Sequence, residues 1–202
     1  MAPPLTRAAL AADPVRQFLR WFAAARRSGR CALPEAMCLS TVDARGRPDA
    51  RVVLLKEADA GGFVFYTNLH SPKARQLARH PRAALTFCWE PMQRQVRITG
   101  RVKRVSERDA NAYFATRPRG SQLGAWASSQ SVVLPDRAAL ECRFAAMERR
   151  YTGRAVPRPR WWGGLRVVPE IVEFWQARPD RLHDRFVYRR RGARWTVRRL
   201  SP

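Results

Sequence analysis

Residues 36–67 read AMCLSTVDARGRPDARVVLLKEADAGGFVFYT, and this stretch decides the fold class. Ala36 to Val42 is an apolar run, and Asp43 to Pro48 is a turn rich in Gly, Asp and Pro. Arg51 to Lys56 is β-branched, Asp59 to Gly62 turns again, and Phe63 to Thr67 is a third apolar run. Short β-formers between such turns predict a meander of antiparallel hairpins. Upstream, Asp13-Pro14 predicts a helix start, with Asp accepting free amide protons and Pro tolerated at the first helical position. Val15, Phe18, Leu19 and Phe22 fall on one face of that helix, and Ser28-Gly29 ends it. Downstream, Ser71-Pro72 opens a short helix to about His80, and Ala83 to Trp89 and Gln95 to Val105 read as strands. Ser106-x-x-Asp109 starts a helix running through Tyr113, followed by a Gly- and Ser-containing stretch from Arg117 to Ser131. Asp136 to Tyr151 reads as a helix with Leu140, Phe144 and Met147 on its inner face. After a Pro-rich loop, Val156 to Arg160, four strands close the chain: Gly164 to Val168, Ile171 to Gln176, Arg185 to Arg189 and Trp195 to Leu200. The pattern predicts an α+β domain built on an antiparallel barrel. Residues 1–12 read as a flexible lead-in and 13–202 as a single domain.

The chain has 202 residues, 46% apolar and 27% charged, which fits one domain with a real core and excludes wholesale disorder. No run approaches the roughly 18 apolar residues of a membrane span, and Met1 to Asp13 lacks a signal-peptide core. The formal net charge is +23, from 39 Lys+Arg against 16 Asp+Glu. Only Lys56, Lys73 and Lys103 are lysines; the other 36 cations are arginines, spread along the chain rather than gathered in a block. With abundant Ala, this reads as compositional bias and not as a nucleic-acid surface. Cys31, Cys38, Cys88 and Cys142 form no Cys-x-x-Cys pair, and His70, His80 and His183 are not at zinc-finger spacing from them. Buried thiols in a reducing cytosol are the expectation, and no metal or membrane partner is expected.

Four places carry possible chemistry. Arg51 and Lys56 bracket an apolar strand; alternation sends Lys56 to the opposite face from Arg51, where it either meets an anion or, more plainly, reaches solvent at the strand's end. Tyr66-Thr67 and Ser71-Pro72-Lys73 place hydroxyls and a cation at a helix N-terminus, which suits a phosphate or is an ordinary cap. Arg117 to Ser121 (R-P-R-G-S) offers two guanidinium groups and a hydroxyl, a set suited to a phosphate monoester. Glu173 to Gln176 (E-F-W-Q) and Arg181 to Arg185 (R-L-H-D-R) are the least generic. If the latter is extended, Arg181, His183 and Arg185 share one face and point to a bound anion.

Taken in order, these segments resemble the pyridoxamine 5′-phosphate oxidase family, from about Asp13 to Pro202. The pieces are R-V-V-L-L-K at Arg51, F-Y-T-N at Phe65, R-Q-V at Arg94, Y-F-A-T-R-P-R-G-S at Tyr113, G-A-W-A-S-S-Q-S at Gly124 and W-G-G at Trp162. E-F-W-Q at Glu173, R-L-H-D-R at Arg181 and the terminal R-R-L-S-P complete it. The resemblance implies an antiparallel split β-barrel with flanking helices that binds FMN at a homodimer interface. It implies FMN contacts at Arg51, Lys56, Tyr66, Thr67, Lys73, Gln95, Gln130, Ser131, Trp175 and Arg185. Substrate contacts are implied at Lys56, Tyr113, Arg117, Ser121, Arg181 and His183, with Arg181 and His183 over the reacting ring.

The implied activity is oxidation of pyridoxamine 5′-phosphate or pyridoxine 5′-phosphate to pyridoxal 5′-phosphate, with O2 as acceptor and release of H2O2. The flavin carries the redox chemistry while the protein orients the reactants. The alternatives are a related flavin oxidase of another ring, of the phenazine type, or a non-catalytic flavin or pyridoxal-phosphate binder. Three departures stand out. Pro72 stands where the family usually has an Arg that holds the FMN phosphate. The Arg- and Tyr-containing N-terminal segment of the family has only Arg7 as a poor counterpart. Asp49 stands where more neutral residues are common.

Overall fold

The computed structural model describes residues 3–202. Its first helix, α1 (Pro14–Arg27), starts as the sequence predicts: Asp13 Oδ1 accepts from the Arg16 amide at 2.9 Å and Pro14 is the first helical residue. Strands β1 (Ala36–Val42), β2 (Pro48–Leu54), β3 (Glu57–Asp59) and β4 (Gly62–Asn68) follow, then α2 (Pro72–Arg79), β5 (Arg82–Trp89) and β6 (Arg94–Arg104). Three helices come next, α3 (Glu107–Thr116), α4 (Arg119–Ala127) and α5 (Arg137–Arg150), before β7 (Trp162–Gln176), β8 (Asp184–Arg191) and β9 (Arg194–Leu200).

All strand pairs are antiparallel, in the order β2-β1-β5-β6-β7-β4-β3, with β8 on β7 and β9 on β8. β7 organises the barrel. One edge pairs with β6 along nearly its whole length; the other pairs first with β4 (Trp162 to Val167) and then with β8 (Ile171 to Gln176). Two strands sharing one edge is what splits the barrel. The change of partner coincides with a register shift between Thr99 and Gly100, opposite Pro169, which has no amide to give the ladder. A Cβ on Gly100 would lie 2.0 Å from the Val168 carbonyl oxygen, so the two backbones approach too closely for any side chain there.

α1 covers the barrel's interior. Phe18 is fully buried, 4.9 Å edge-on from Phe63 and 4.8 Å from Phe87, and Trp21 meets Phe174 edge-on at 5.2 Å. A second, smaller apolar cluster of Phe114, Leu123, Tyr151, Val156 and Trp162 ties α3, α4 and α5 to the start of β7. Residues 3–12, read from the sequence as a flexible lead-in, bury Leu5 and Leu10, and the Ala11 carbonyl accepts from the Tyr188 hydroxyl at 2.7 Å; residues 1 and 2 lie outside the described residues. Among the described residues no helix is long and apolar enough to cross a membrane.

Several expectations need correction. The Arg117 to Ser131 stretch contains a helix, α4, whose Leu123 and Ala127 are buried. Two glycines and one serine hide the pattern, because only one side of this short helix is apolar. The strands expected at Gly164 to Val168 and Ile171 to Gln176 are one strand, since Pro169 falls at the change of partner and does not break the chain's direction. Leu19, placed on the inner face of α1, is 39% exposed, and Trp21 is buried instead. The thiols are free but none is fully buried: Cys31 and Cys38 are partly exposed, and Cys88 and Cys142 are exposed, Cys88 because it alternates outward between buried Phe87 and Trp89 on β5.

Candidate functional site

A cavity of about 830 Å3 opens between β2, β4, the start of α2 and the α3–α4 region. Ten of the residues singled out in the sequence line it: Arg51, Lys56, Tyr66, Thr67, Lys73, Tyr113, Arg117, Ser121, Gln130 and Ser131. Lys56 lies just past the end of β2 with its side chain exposed, the plainer of its two readings, yet it still borders the cavity mouth. Pro72 and Asp49 also line the wall.

One wall is an aromatic stack. Tyr66 lies against Tyr113 at 4.2 Å and against Trp162 at 5.1 Å, with interplanar angles of 15° and 8°. Glycines make the stack possible: a Cβ on Gly164, the cross-strand partner of Tyr66, would lie 2.7 Å from the Tyr66 ring and 2.8 Å from Val105. Arg117 sits with its guanidinium carbon 4.7 Å from the Trp162 ring and 5.4 Å from Phe114. One of its terminal nitrogens, Nη1, is buried without a hydrogen-bond partner. Burial pushes the Arg117 pKa down, against the opposing effect of Tyr113.

The other wall is cationic. Lys73, in the first turn of α2, is buried, and its Nζ reaches only neutral acceptors, Gln130 Oε1 at 3.4 Å and Thr67 Oγ1 at 3.5 Å. Burial lowers its pKa, the nearby Arg51 lowers it further, and Asp49 opposes them. Ser71 caps α2 in extended backbone, but its buried hydroxyl makes no capping bond and has no partner. Arg51 points inward from β2, giving hydrogen bonds to Thr41 Oγ1 at 2.6 Å and to the Leu39 carbonyl at 3.3 Å, and pairs with Asp49. A buried lysine facing neutral acceptors, an orphaned arginine nitrogen and an orphaned serine hydroxyl are the donor set that phosphate oxygens satisfy. The residues present therefore fit a phosphate-bearing, planar-ringed ligand such as FMN or a phosphorylated pyridine. Pro72 cannot add a cation, but it keeps the helix start, which lies at this wall.

The remaining residues singled out do not line this cavity. Gln95, Trp175 and Arg185 are cross-strand neighbours on β6, β7 and β8. The His183 ring lies 4.6 Å from Trp175, and its Nδ1 accepts from the Arg178 amide at 3.2 Å. Arg185 Nε donates to Glu173 Oε1 at 2.8 Å, and its Nη1 donates to the Ser201 carbonyl at 2.9 Å. From Gly164, beside Tyr66, to Trp175 is eleven residues of strand, roughly 35 Å of path along β7. The cavity and this second group thus lie toward opposite ends of one strand.

Arg181 departs from the alternation argument. It lies in a tight turn, Pro179–Arg181, and both Asp180 (φ 55°) and Arg181 (φ 60°) are left-handed, so the segment is not extended there. Strand geometry begins only at Asp184. Two consecutive non-glycine residues in this region cost on the order of 1 kcal/mol each and mark a turn held by its surroundings. The anchor is Asp184, which is buried. Its carboxylate accepts from Arg178 Nε at 2.7 Å, Arg199 Nη1 at 2.8 Å and the Leu5 amide at 3.0 Å.

Comparison with known proteins agrees with this geometry. Residues 30–151 match the model of the family described as pyridoxamine 5′-phosphate oxidase, and residues 162–202 match that of the pyridoxine 5′-phosphate oxidase C-terminal dimerisation region. The chain belongs to the pyridoxamine 5′-phosphate oxidase family. A protein of Rubrobacter xylanophilus named pyridoxine/pyridoxamine 5′-phosphate oxidase is 55% identical over 98% of this chain and 93% of its own length. One of the same name from Burkholderia multivorans is 54% identical with the same coverage. Among solved structures, PhzG from Burkholderia lata, in complex with tetrahydrophenazine-1-carboxylic acid, superposes with a TM-score of 0.92 at 31% identity over 98% of both chains. The split barrel of this family member is therefore shared with PhzG. β7, β8 and β9 lie in the matched dimerisation region, with Trp175 on β7, Arg185 on β8 and His183 in the connection between them.

Asp49, Glu173 and Trp162 are site residues that sequence reasoning left without a role. Trp162 had a signal: it precedes Gly163-Gly164, and a bulky ring followed by two residues without side chains is how a strand makes room for a stack. Asp49 had only its alternation with Arg51 on one strand, and Glu173 had none, because its partner Arg185 is twelve residues on, in the neighbouring strand.

Proposed function

We propose that the chain is an FMN-dependent oxidase that converts pyridoxamine 5′-phosphate or pyridoxine 5′-phosphate to pyridoxal 5′-phosphate, working as a homodimer. The observation that carries this reading is the buried donor set of one cavity, Lys73 and Arg117, faced by no carboxylate but Asp49 and flanked by the Tyr66–Tyr113–Trp162 stack. Phosphorylated planar rings satisfy both walls at once. The 52–55% identical relatives bearing the oxidase name add to it.

When bound, FMN would supply the two-electron acceptor, with O2 as the final oxidant. Overall, the alcohol and O2 give the aldehyde and H2O2; the amine, O2 and water give the aldehyde, ammonia and H2O2. Arg51, Lys73 and the α2 start would hold the FMN phosphate, with Thr67, Gln130 and Ser131 as its polar neighbours and Tyr66 and Lys56 at the cavity wall. Arg117, Tyr113, Ser121 and Lys56 would hold the substrate phosphate. These clamps lie away from the reacting carbon, so their binding energy goes into alignment.

Gln95, Trp175 and Arg185, with Arg181 and His183, would reach the same ligands from the second copy of the chain. The arrangement is supported by the placement of the two groups toward opposite ends of β7, the second lining no part of the cavity. His183 Nδ1 accepts from the Arg178 amide, which assigns the proton of the neutral ring to Nε2, the atom free to donate to substrate.

The test is purified protein reconstituted with FMN and given pyridoxine 5′-phosphate in air, following pyridoxal 5′-phosphate and peroxide together. The expected result is both products in equal amounts. A flavin-loaded protein that makes neither, from the alcohol or the amine, would overturn the reading. Arg181→Leu or His183→Leu should lower turnover and leave FMN bound. The likeness to PhzG favours one second reading, a flavin oxidase of a carboxylated polycyclic ring. Turnover of such a ring without turnover of the phosphorylated pyridines would establish it.

A further inference from the structure

Asp49 is the one carboxylate on a wall that also carries Arg51, Lys56, Lys73 and Arg117. It is not a bystander there. Its Oδ2 pairs with Arg51 Nη2 and accepts from Gln76 Nε2 at 2.9 Å. Gln76, on α2, turns its own oxygen to Thr41 Oγ1 at 2.5 Å and to Arg51 Nη2 at 3.4 Å. β1, β2 and α2 are thereby tied into one network around a single guanidinium, which is only 19% exposed. The Arg51 network also touches the neighbouring cation, since Arg51 disfavours the charged form of Lys73 and Asp49 favours it.

We propose that Asp49 is a built-in counter-anion of the phosphate subsite: it occupies Arg51 with an internal carboxylate and so sets how tightly this cavity takes a phosphate monoester. The proposal rests on the flavin reading above for the identity of the monoester, but not for its charge. Two opposed effects follow from the carboxylate. It orients Arg51, which favours binding, and it cancels part of the positive potential that attracts a phosphate dianion, which disfavours it. Orientation is over-determined, because Thr41, the Leu39 carbonyl and Gln76 hold the same guanidinium without Asp49. The charge is not duplicated by any other carboxylate on the cavity wall. The electrostatic effect therefore wins.

Asp49→Asn separates the two, since the amide oxygen can still accept from Arg51 and Gln76 while the charge is gone. With Asp49 partly solvated, the change should tighten FMN binding about three- to tenfold. The measurement is FMN affinity from quenching of flavin fluorescence, for wild type and Asp49→Asn, with riboflavin as the ligand that lacks the phosphate. Tighter FMN with unchanged riboflavin is the expected result, together with a steeper salt dependence of FMN binding in the variant. FMN affinity unchanged or weakened in Asp49→Asn, or riboflavin shifted as much as FMN, would overturn it. A wild-type protein that binds no FMN would instead sink the flavin reading. Inorganic phosphate would then test Asp49 alone, through its thermal stabilisation of the two proteins: a larger shift for Asp49→Asn upholds the proposal, and an equal or smaller one refutes it.

Discussion

Removing the Asp184 carboxylate tests how the His183 segment is held. Asp184 takes three donors that come from far apart in the chain: Leu5 in the lead-in, Arg178 in the turn before it and Arg199 in the last strand. Burial opposes its ionisation, yet the hydrogen bonds from Arg178, Arg199 and Leu5 outweigh that and hold its carboxyl below the usual 3.8. Breaking a buried pair by deleting one member costs about 3–5 kcal/mol. Here Arg199, 53% exposed, can rehydrate, whereas Arg178, 14% exposed, cannot readily do so. The lower end, about 3 kcal/mol, is the expectation for Asp184→Ala. At roughly 2–4 °C per kcal/mol for a chain of this length, Tm should fall by about 6–12 °C. The assay is thermal unfolding followed by circular dichroism at one fixed protein concentration, because dimerisation makes Tm concentration-dependent. A lowered folded-state pKa gives stability that is present above the unfolded value and lost as pH falls through the folded one. The wild-type advantage over Asp184→Ala should therefore be level near neutrality and shrink as pH drops below 3.8. A Tm within about 1 °C of wild type at pH 7, or a gap that widens in acid, would refute the reasoning.

Two further substitutions probe the cavity. Lys73→Met should weaken FMN binding about ten- to a hundredfold, the worth of a charge-assisted hydrogen bond, as read by flavin fluorescence. It should leave the Tm of the flavin-free protein unchanged or raised, because Lys73 is buried against neutral acceptors only; a fall in that Tm would assign Lys73 a structural role. Gly164→Ala puts a methyl group 2.7 Å from the Tyr66 ring and should displace the stack, costing about 1–3 kcal/mol in thermal unfolding and weakening flavin binding as well. Wild-type values for both would show that the stack has room to yield.

The sequence made the meander legible because its turns are chemically explicit. Asp43 to Pro48 and Asp59 to Gly62 carry residues that few strands tolerate, and the runs between them are apolar. Helix starts were equally plain, since Asp13, Ser106 and Asp136 each accept from an amide three residues on. What stayed hidden depends on partners remote in sequence. α4 is short and half-buried, so its packing against α5 and the start of β7, not its periodicity, makes it a helix. The continuity of β7 through Pro169 depends on β6 holding one edge throughout while β8 takes over the other from β4. Seven of the ten cavity residues stood out by their own chemistry and Tyr113, Gln130 and Ser131 by the resemblance alone, while the carboxylates that govern the arginines, Asp49 and Glu173, were given no role. In a chain with 36 arginines the cations are too common to discriminate; the few acids that pair with them would have been the sharper signal.

That scarcity also explains how so basic a chain builds a selective site. Most arginines are at the surface, where solvent screens them and pairs such as Arg47–Asp43 or Arg137–Glu141 contribute little. Selectivity comes from the few cations withdrawn from water, because in a drier setting a charge acts more strongly and an unpaired donor costs more. Each buried acid fixes one such arginine to a purpose: Glu173 holds Arg185 beside Trp175, and Asp184 holds the turn that presents His183. Lys73 and Arg117 are left without an acid, and they face the cavity. The distribution of carboxylates, more than that of arginines, separates the groups that hold the fold from the groups kept available for an anion.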